Sequence, residues 1–235
     1  MKTPLRFLAC VVFALLLAAC ETRSISNSGY YGGNNGYRGE LSEFDVLGVE
    51  ASVNVTDADI ASALRDAKGV RLSRADKVLL IQSGADFPDA PIQEALGKFF
   101  LVGTFSGKPV AKKDAAQSYA KSLRLAAALG GYAKIVCCWG VIESEHVDQA
   151  TKIVSWVPFA GSLIPDEREN MRLRLKAAVI DVASGQWAMV QTAPFDDTRL
   201  SASLVRKDSD QGLVTKLKAQ GYAELARLLS EGSGS

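Results

Sequence analysis

The chain has 235 residues, with 27 basic and 26 acidic side chains and a hydrophobic content of 48%. This length is enough for one domain with a sizeable core. The near-neutral charge gives no basis for nucleic-acid binding or for a general attraction to anionic lipid, since both need an excess of basic residues. Two cysteines beyond residue 20, Cys137 and Cys138, are adjacent, which excludes a disulfide framework.

The first 19 residues have the three parts of a bacterial export signal. Lys2 and Arg6 supply positive charge, and residues 7–17 form an apolar stretch too short to cross a bilayer as a helix. Small residues then lead into a cysteine, and Leu17-Ala18-Ala19-Cys20 resembles the lipobox of bacterial lipoproteins. The resemblance implies that Cys20 carries a thioether-linked diacylglycerol, that the signal is cut before it, and that the new amino group is acylated. The alternative is an ordinary secretory signal followed by a chance cysteine, which would leave an unexplained thiol.

The residues after the cleavage site bear on location. Losing Lys2 and Arg6 leaves 25 basic and 26 acidic residues, a net charge of −1. No second apolar run reaches transmembrane length, so the lipid is the one membrane attachment that we predict. In enterobacterial lipoproteins an aspartate after the lipidated cysteine retains the protein in the inner membrane. Glu21 at that position therefore favours the outer membrane, with the domain facing the periplasm.

Composition divides the rest of the chain into three parts. Residues 20–43 contain the lipidated cysteine and a stretch rich in Gly, Ser, Asn and Tyr, which predicts a flexible tether. Such a tether is either a leash that lets the domain search or a passive spacer. Residues 44–230 are predicted to form a single folded domain, and residues 231–235 a disordered tail.

In chain order, the first half of the domain alternates helices and strands. A capping box at Thr56–Asp59 predicts a helix with Ile60 and Leu64 on one face. Residues 77–83 are almost continuously apolar, which indicates a strand covered on both faces. A helix is then predicted to begin near Asp89, followed by a strand over residues 100–105.

The second half predicts an antiparallel arrangement. A helix over 114–129 precedes strands over 134–142 and 151–157, and residues 171–182 alternate between apolar and basic. Ser184-Gly185 is typical of a tight hairpin turn into a strand over 186–192. A last helix, starting at residue 208 or 209, contains Gly221, which predicts close approach to the sheet. The fold class predicted is α/β, a mixed sheet with an antiparallel C-terminal meander and helices packed on it.

The second half also resembles a group of known proteins. A helix ending in Gly130-Gly131-Tyr132-Ala133-Lys134-Ile135-Val136 and a strand closing in Ile180-Asp181-Val182-Ala183-Ser184-Gly185 are separated by a variable loop. This is similar to envelope lipoproteins related to the curli secretion channel subunit, to penicillin-binding-protein activator lipoproteins, and to the N-terminal domain of the Tol-system propeller protein. The resemblance covers roughly residues 114–229 and implies an α/β fold like an anticodon-binding domain.

Two sets of residues have side chains capable of chemistry. Strand alternation sends Cys137 and Cys138 to opposite faces, which disfavours a vicinal disulfide or a two-thiol metal site. Burial as small apolar residues and a redox or soft-metal role are the alternatives. His146, the one histidine, lies among acidic residues and is either a general base or ligand, or part of a solvated hairpin end.

Two surfaces are candidates for partner binding. The segment 154–165 joins two predicted strands but is apolar and aromatic, so it either packs on the domain or contacts a partner or the membrane. Its candidate binding residues are Trp156, Phe159, Leu163 and Ile164. Arg172, Arg174 and Lys176 form a basic stripe on one strand face, which is either charge-paired with Glu143 and Glu145 or a surface for an acidic partner.

The sequence contains no phosphate loop, nucleotide fingerprint, zinc-protease motif or nucleophile elbow. Our leading hypothesis is therefore a non-enzymatic, lipid-anchored binding or adaptor module without metal or other cofactor. It would dock an envelope protein in envelope assembly, secretion or cell-wall synthesis. One alternative is an envelope hydrolase that uses Asp86, Asp89 or His146. Another is a homo-oligomeric subunit like that of a secretion channel.

Overall fold

The computed structural model describes residues 21–28, 38–49, 54–109, 119–148, 167–201 and 206–232. Cys20, the segment 154–165 and the predicted strand 151–157 lie outside the described residues. The strands are β1 (Glu21–Ser24), β2 (Lys77–Gln82), β3 (Leu101–Phe105), β4 (Lys134–Asp148), β5 (Glu167–Asp181), β6 (Trp187–Gln191) and β7 (Phe195–Ser201). The α-helices are α1 (Glu43–Leu47), α2 (Asp57–Asp66), α3 (Ala90–Gly97), α4 (Tyr119–Leu129) and α5 (Arg206–Glu231), and Ile25–Asn27 is a short 3-10 helix.

The described strands form one seven-stranded mixed sheet, which confirms the predicted fold class. Its order is β3-β2-β4-β5-β6, with β1 added to β4 and β7 added to β5. Strand β2 is parallel to β3 and β4, whereas β4, β5 and β6 form the antiparallel meander. Strands β4 and β5 are 15 residues each and extend well beyond β2, β3 and β6, to the part of the sheet where β1 and β7 pair with them.

Helices cover both faces of the sheet because its central strands are apolar on both sides. Alternate β5 residues such as Leu173 and Val179 pack with α3 and α5, while Ala178 and Ile180 pack with α1 and α4. Helix α5 comes close to β5 at Gly221, where an added Cβ would lie 2.7 Å from Leu173 Cδ2. The predicted close approach at this glycine is therefore confirmed.

The prediction of a flexible tether is wrong for residues 21–28. Strand β1 pairs antiparallel with β4, with Glu21 opposite Ser144 and Ser24 opposite Val141. Ile25 follows directly and is 1% exposed. The sequence of this short stretch does not alternate between apolar and polar residues as a typical strand does. It still forms a strand, because backbone hydrogen bonds to the long neighbouring strand do not depend on that alternation. Residues 29–37, where the glycines and asparagines concentrate, lie outside the described residues.

Candidate functional site

The segment after Cys20 is held to the domain by a group of side chains that we call the anchor clasp: the partly buried ion pair of Lys218 and Asp89, together with Tyr222. Lys218 Nζ donates to the Ile25 carbonyl (2.6 Å) and to Asp89 Oδ2 (2.8 Å). Tyr222 Oη donates to the same carboxylate oxygen at 2.8 Å. Lys218 is 4% exposed, and these hydrogen bonds take the place of water around its ammonium group. The clasp thus joins the chain next to the predicted lipid site to α3 and α5.

A second set of hydrogen bonds holds the same segment against β2. Ser26 Oγ donates to the Ser83 carbonyl (2.6 Å) and accepts from Gln82 Nε2 (3.0 Å). The Gln82 side-chain oxygen in turn accepts from the Asp89 backbone N–H at 2.8 Å. Each of these groups is buried or half-buried and paired, as buried polar groups require. Residues 25–28 are therefore part of the folded domain.

Sequence reasoning missed the clasp, although one signal for it was present. Lys218 stands four residues after Val214 and four before Tyr222, in the stripe by which α5 contacts the sheet. A lysine in such a stripe needs a buried acceptor. Asp89 occupies the N-cap position of α3, as the predicted helix start near it implies, but its side chain makes no capping hydrogen bond there.

The candidate catalytic residues do not converge. Asp86 pairs with Lys108, and Asp89 is held in the clasp beside Gln82. Gln82 lies opposite Cys138, and His146 follows Cys138 by eight residues on β4. Eight strand residues span roughly 26 Å at about 3.3 Å each. The backbone of His146 is thus at the other end of β4 from both aspartates.

Metal binding has no support within the described part of the chain. There, no three His, Cys, Asp or Glu side chains lie close enough together to hold a metal ion.

Cys137 and Cys138 are free, fully buried and on opposite faces of the sheet, as alternation predicts. Cys138 packs in the layer that contains α5, and Cys137 in the layer that contains α4. Burial raises the pKa of both thiols well above the usual range, because it disfavours the charged thiolate. Since the thiolate is the reactive form, these are the surroundings of inert cysteines.

We therefore expect neither Cys137 nor Cys138 to react with iodoacetamide while the domain is folded. Alkylation of both should be at least about a thousandfold slower than in urea, because it requires opening of the central strand. Mass spectrometry of a labelling time course, with fully unfolded protein as the control, measures this. Rapid modification of either thiol in the folded protein would restore the redox hypothesis.

The basic stripe on β5 is charge-paired, and its three side chains are between 42% and 47% exposed. Arg172 Nε lies 2.6 Å from Asp196, Arg174 Nη2 lies 3.3 Å from Glu143, and Lys176 pairs with Glu43. The predicted pairing with Glu143 is confirmed, and the Glu145 side chain lies outside what the structure describes. Exposed pairs of this kind contribute roughly 0–1 kcal/mol each, so they hold the face together weakly.

An open cavity of about 560 Å³ lies at the start of β4, beside the turn between β5 and β6. Its lining includes Arg65, Lys68, Lys134 and Asp181. The Lys134 ammonium, 2.8 Å away, and hydrogen bonds from Ser184 hold the pKa of Asp181 well below its usual range. Lys134 and Asp181 thus neutralise one another.

Among the described residues, none of the helices combines the length and the apolarity needed to cross a bilayer.

Comparisons with known proteins identify one family. The model of the YafT bacterial lipoprotein family matches residues 42–232, most of the chain. No curated protein matches the chain.

Solved structures give weak likenesses. A methionine variant of PelC from Paraburkholderia phytofirmans, a dodecamer, is 18% identical, with a TM-score of 0.32 over 68% of this chain and 94% of that one. A second PelC dodecamer from that organism is 19% identical, with a TM-score of 0.31 over 67% of this chain and 92% of that one. The hypothetical protein CT253 from Chlamydia trachomatis is 12% identical, with a TM-score of 0.28 over 66% and 94%. Scores this low support no inference about assembly or function.

Proposed function

Because the chain belongs to the YafT family of bacterial lipoproteins, we propose that it is a lipid-anchored adaptor of the bacterial envelope. In this proposal it docks a partner protein at the periplasmic face of the outer membrane and catalyses no reaction. The lipid is attached at Cys20, and Glu21 after it supports the outer membrane as the destination.

The observation that carries this proposal is the way in which the anchor segment enters the fold. Glu21, the residue after Cys20, is already paired with Ser144 in the sheet. Ile25 is fixed by the hydrogen bond from Lys218, and Ser26 is fixed by its hydrogen bond to the Ser83 carbonyl. A lipid on Cys20 would therefore hold the domain at the bilayer with no intervening tether. A domain held in this way suits the presentation of one surface to a partner.

The partner would contact the end of the domain that carries the anchor. The long hairpin of β4 and β5 extends to this end, where Asp148 lies opposite Glu167. The apolar residues Trp156 and Phe159 belong to the connection between these strands, which lies outside the described residues. The paired face of β5, with Arg172 and Arg174, adjoins β1 through β4. We propose that the partner binds the connection between β4 and β5, and that the charged face of β5 surrounds this binding segment.

The test is capture of the partner by the lipidated protein in its own host. A tagged full-length chain carrying Trp156→Ser and Phe159→Ser is crosslinked in intact cells and compared with the unsubstituted chain. We expect at least a tenfold loss of one dominant crosslinked envelope protein, because buried aromatic anchors typically contribute about 2 kcal/mol or more each to an interface.

Phe87→Ser is the matched control, since Phe87 is an aromatic residue that is 79% exposed and lies outside the connection between β4 and β5. Capture should be unchanged in this variant, and both proteins should keep their melting temperature. Equal capture by all three chains would exclude the segment as the binding site. Separation of inner and outer membranes by density from the same cells tests the proposed location.

A further inference from the structure

Helix α2 presents its apolar side to solvent. Ile60 and Leu64 are both exposed, Leu64 by 73%, and every other α2 residue except Ser62 is exposed as well. At about 100° per residue, Ser62 lies about 160° around the helix from both Ile60 and Leu64. The helix therefore faces the domain with a serine and points its two large apolar side chains away. An amphipathic helix that packs on its own core has the opposite orientation.

This helix is held at both ends and buries almost nothing. At its start, Thr56 and Asp59 form the predicted capping box, with the Asp59 backbone N–H donating to Thr56 Oγ1 at 3.3 Å. At its end, Gln186 Nε2 donates to the Asp66 carbonyl (2.6 Å) and Gln186 Oε1 accepts from the Lys68 N–H (3.1 Å). A ten-residue helix is marginal in water without packing. These contacts keep α2 helical while its apolar side is uncovered.

A second apolar stripe of the same spacing lies on α4. Leu123 and Ala127 face the sheet, whereas Leu125 and Leu129 point outward, and Leu129 is 82% exposed. Each stripe consists of two large aliphatic residues four positions apart, which are neighbours on a helix surface. The chain thus carries two uncovered stripes of matching size on different helices.

The ends of the two stripes carry opposite charges. Asp57 precedes Ile60 and Leu64 by three and seven residues, and Lys121 precedes Leu125 and Leu129 by four and eight. When two such helices lie side by side with their N-termini together, the aspartate faces the lysine and the aliphatic pairs face one another. The two stripes therefore match in spacing and carry opposite charges at corresponding ends.

We propose that the α2 stripe of one copy of this protein packs against the α4 stripe of a second copy. The two stripes are different surfaces, so the contact is head to tail, and each copy keeps one stripe available for a further neighbour. Repetition gives a closed ring or an open chain, according to the rotation between neighbours. This self-association is separate from the capture of a partner by the anchor end.

The position of α2 disfavours the bilayer as the occupant of its stripe. Gln186 binds the end of α2 and directly precedes Trp187. In the sheet, Trp187 of β6 lies opposite Ile180 of β5, and Ile180 lies opposite Ile135 of β4. Nine residues of β4 separate Ile135 from Ser144, where the anchor strand begins, which is roughly 30 Å. The end of α2 is thus far along the sheet from the predicted lipid.

The experiment uses the full-length lipidated protein purified in detergent, with its mass measured by light scattering and sedimentation velocity. One variant carries Ile60→Ser and Leu64→Ser, and the other carries Leu125→Ser and Leu129→Ser. All four positions are exposed, so both variants should fold and keep their melting temperature. We expect the unsubstituted protein to be oligomeric at tens of micromolar and each variant to be monomeric.

Mixing the two variants provides the decisive outcome. The first variant retains the α4 stripe and the second retains the α2 stripe, so the mixture should form a one-to-one dimer and nothing larger. A charge exchange gives a second readout: Asp57→Lys should weaken assembly several-fold, and adding Lys121→Asp to the same chain should restore it. Phe87→Ser, which removes an exposed apolar residue elsewhere, should leave the oligomer intact.

Three results would overturn the proposal. They are a monomeric unsubstituted protein, oligomers that survive both substitutions in one stripe, and a mixture that forms no dimer. Protection of α2 from hydrogen exchange by phospholipid vesicles, with the chain still monomeric, would assign the stripe to the bilayer instead. None of these results would alter partner capture through residues 156 and 159, so the two proposals fail independently.

Discussion

Replacing Lys218 with methionine is expected to lower the free energy of unfolding by about 3 kcal/mol. Methionine keeps the length of the apolar stem but removes the ammonium that bonds Ile25 O and Asp89. The Asp89 carboxylate then keeps Tyr222 as a side-chain donor, and the Ile25 carbonyl loses its charged donor. Removing one partner of such an ion pair lowers the free energy of unfolding by more than the intact pair contributes to it, because the remaining charge stays partly out of water.

Urea unfolding monitored by far-ultraviolet circular dichroism measures this loss. Lys216→Met is the matched control, since Lys216 lies on the same helix but is exposed, and it should change stability by less than about 0.5 kcal/mol. Replacing Asp89 with leucine together with Lys218→Met should be less destabilising than the sum of the two single substitutions, because the double variant leaves no unpaired charge.

Hydrogen exchange distinguishes whether the clasp stabilises only the anchor segment or the whole domain. In the Lys218→Met variant, amides of residues 21–28 should exchange faster than those of β2, because the clasp joins the first of these segments to the domain. A loss below about 0.5 kcal/mol with unchanged exchange over 21–28 would show that β1 is held by its strand pairing alone. That result would also remove Lys218 from the explanation of how the anchor end is fixed.

Sequence patterns predicted the elements whose burial follows from the order of polar and apolar residues within the element itself. The apolar run over 77–83 gave β2, because a strand with no polar side is buried on both faces. The alternation of basic and apolar residues before Asp181 gave β5 and its paired outer face. Gly221 indicated the close contact between α5 and β5, since only a residue without a side chain fits there.

Other features depend on partners that a local pattern does not contain. Residues 21–24 form a strand because the edge of β4 is available to pair with them, and their own side chains carry no strand signal. The capping box predicted α2 correctly. Helical spacing, however, shows only which residues share a face of the helix, and it does not show whether that face packs on the domain or is exposed. Asp89 and Lys218 are 129 residues apart, so neither could be paired with the other from the sequence.

The second large effect is expected at Gly140, where β4 passes beneath the anchor segment. An added Cβ would lie 2.5 Å from Leu175 Cδ2, 2.8 Å from Ile25 Cγ2 and 3.0 Å from the Arg174 carbonyl. The leucine methyl can shift, but a backbone oxygen in a paired strand cannot move without loss of the ladder. Gly140→Val should therefore destabilise the domain by about 3 kcal/mol, and Gly140→Ala by less.

Gly140→Val should also act first on the anchor segment, because Ile25 covers this glycine from outside the sheet whereas Leu175 is held within it. At low urea we expect trypsin to cut after Arg23 faster in the valine variant than in the unsubstituted protein, before the far-ultraviolet signal changes. Gly69→Val is the control, since a Cβ at Gly69 meets no atom within 4 Å, and it should leave stability within about 0.5 kcal/mol. If both valine variants were equally stable, or if cleavage after Arg23 appeared only with global unfolding, Ile25 would not be seated tightly on β4. The lipid would then hold the domain through a segment able to detach, and the fixed orientation on which the proposed adaptor function rests would be lost.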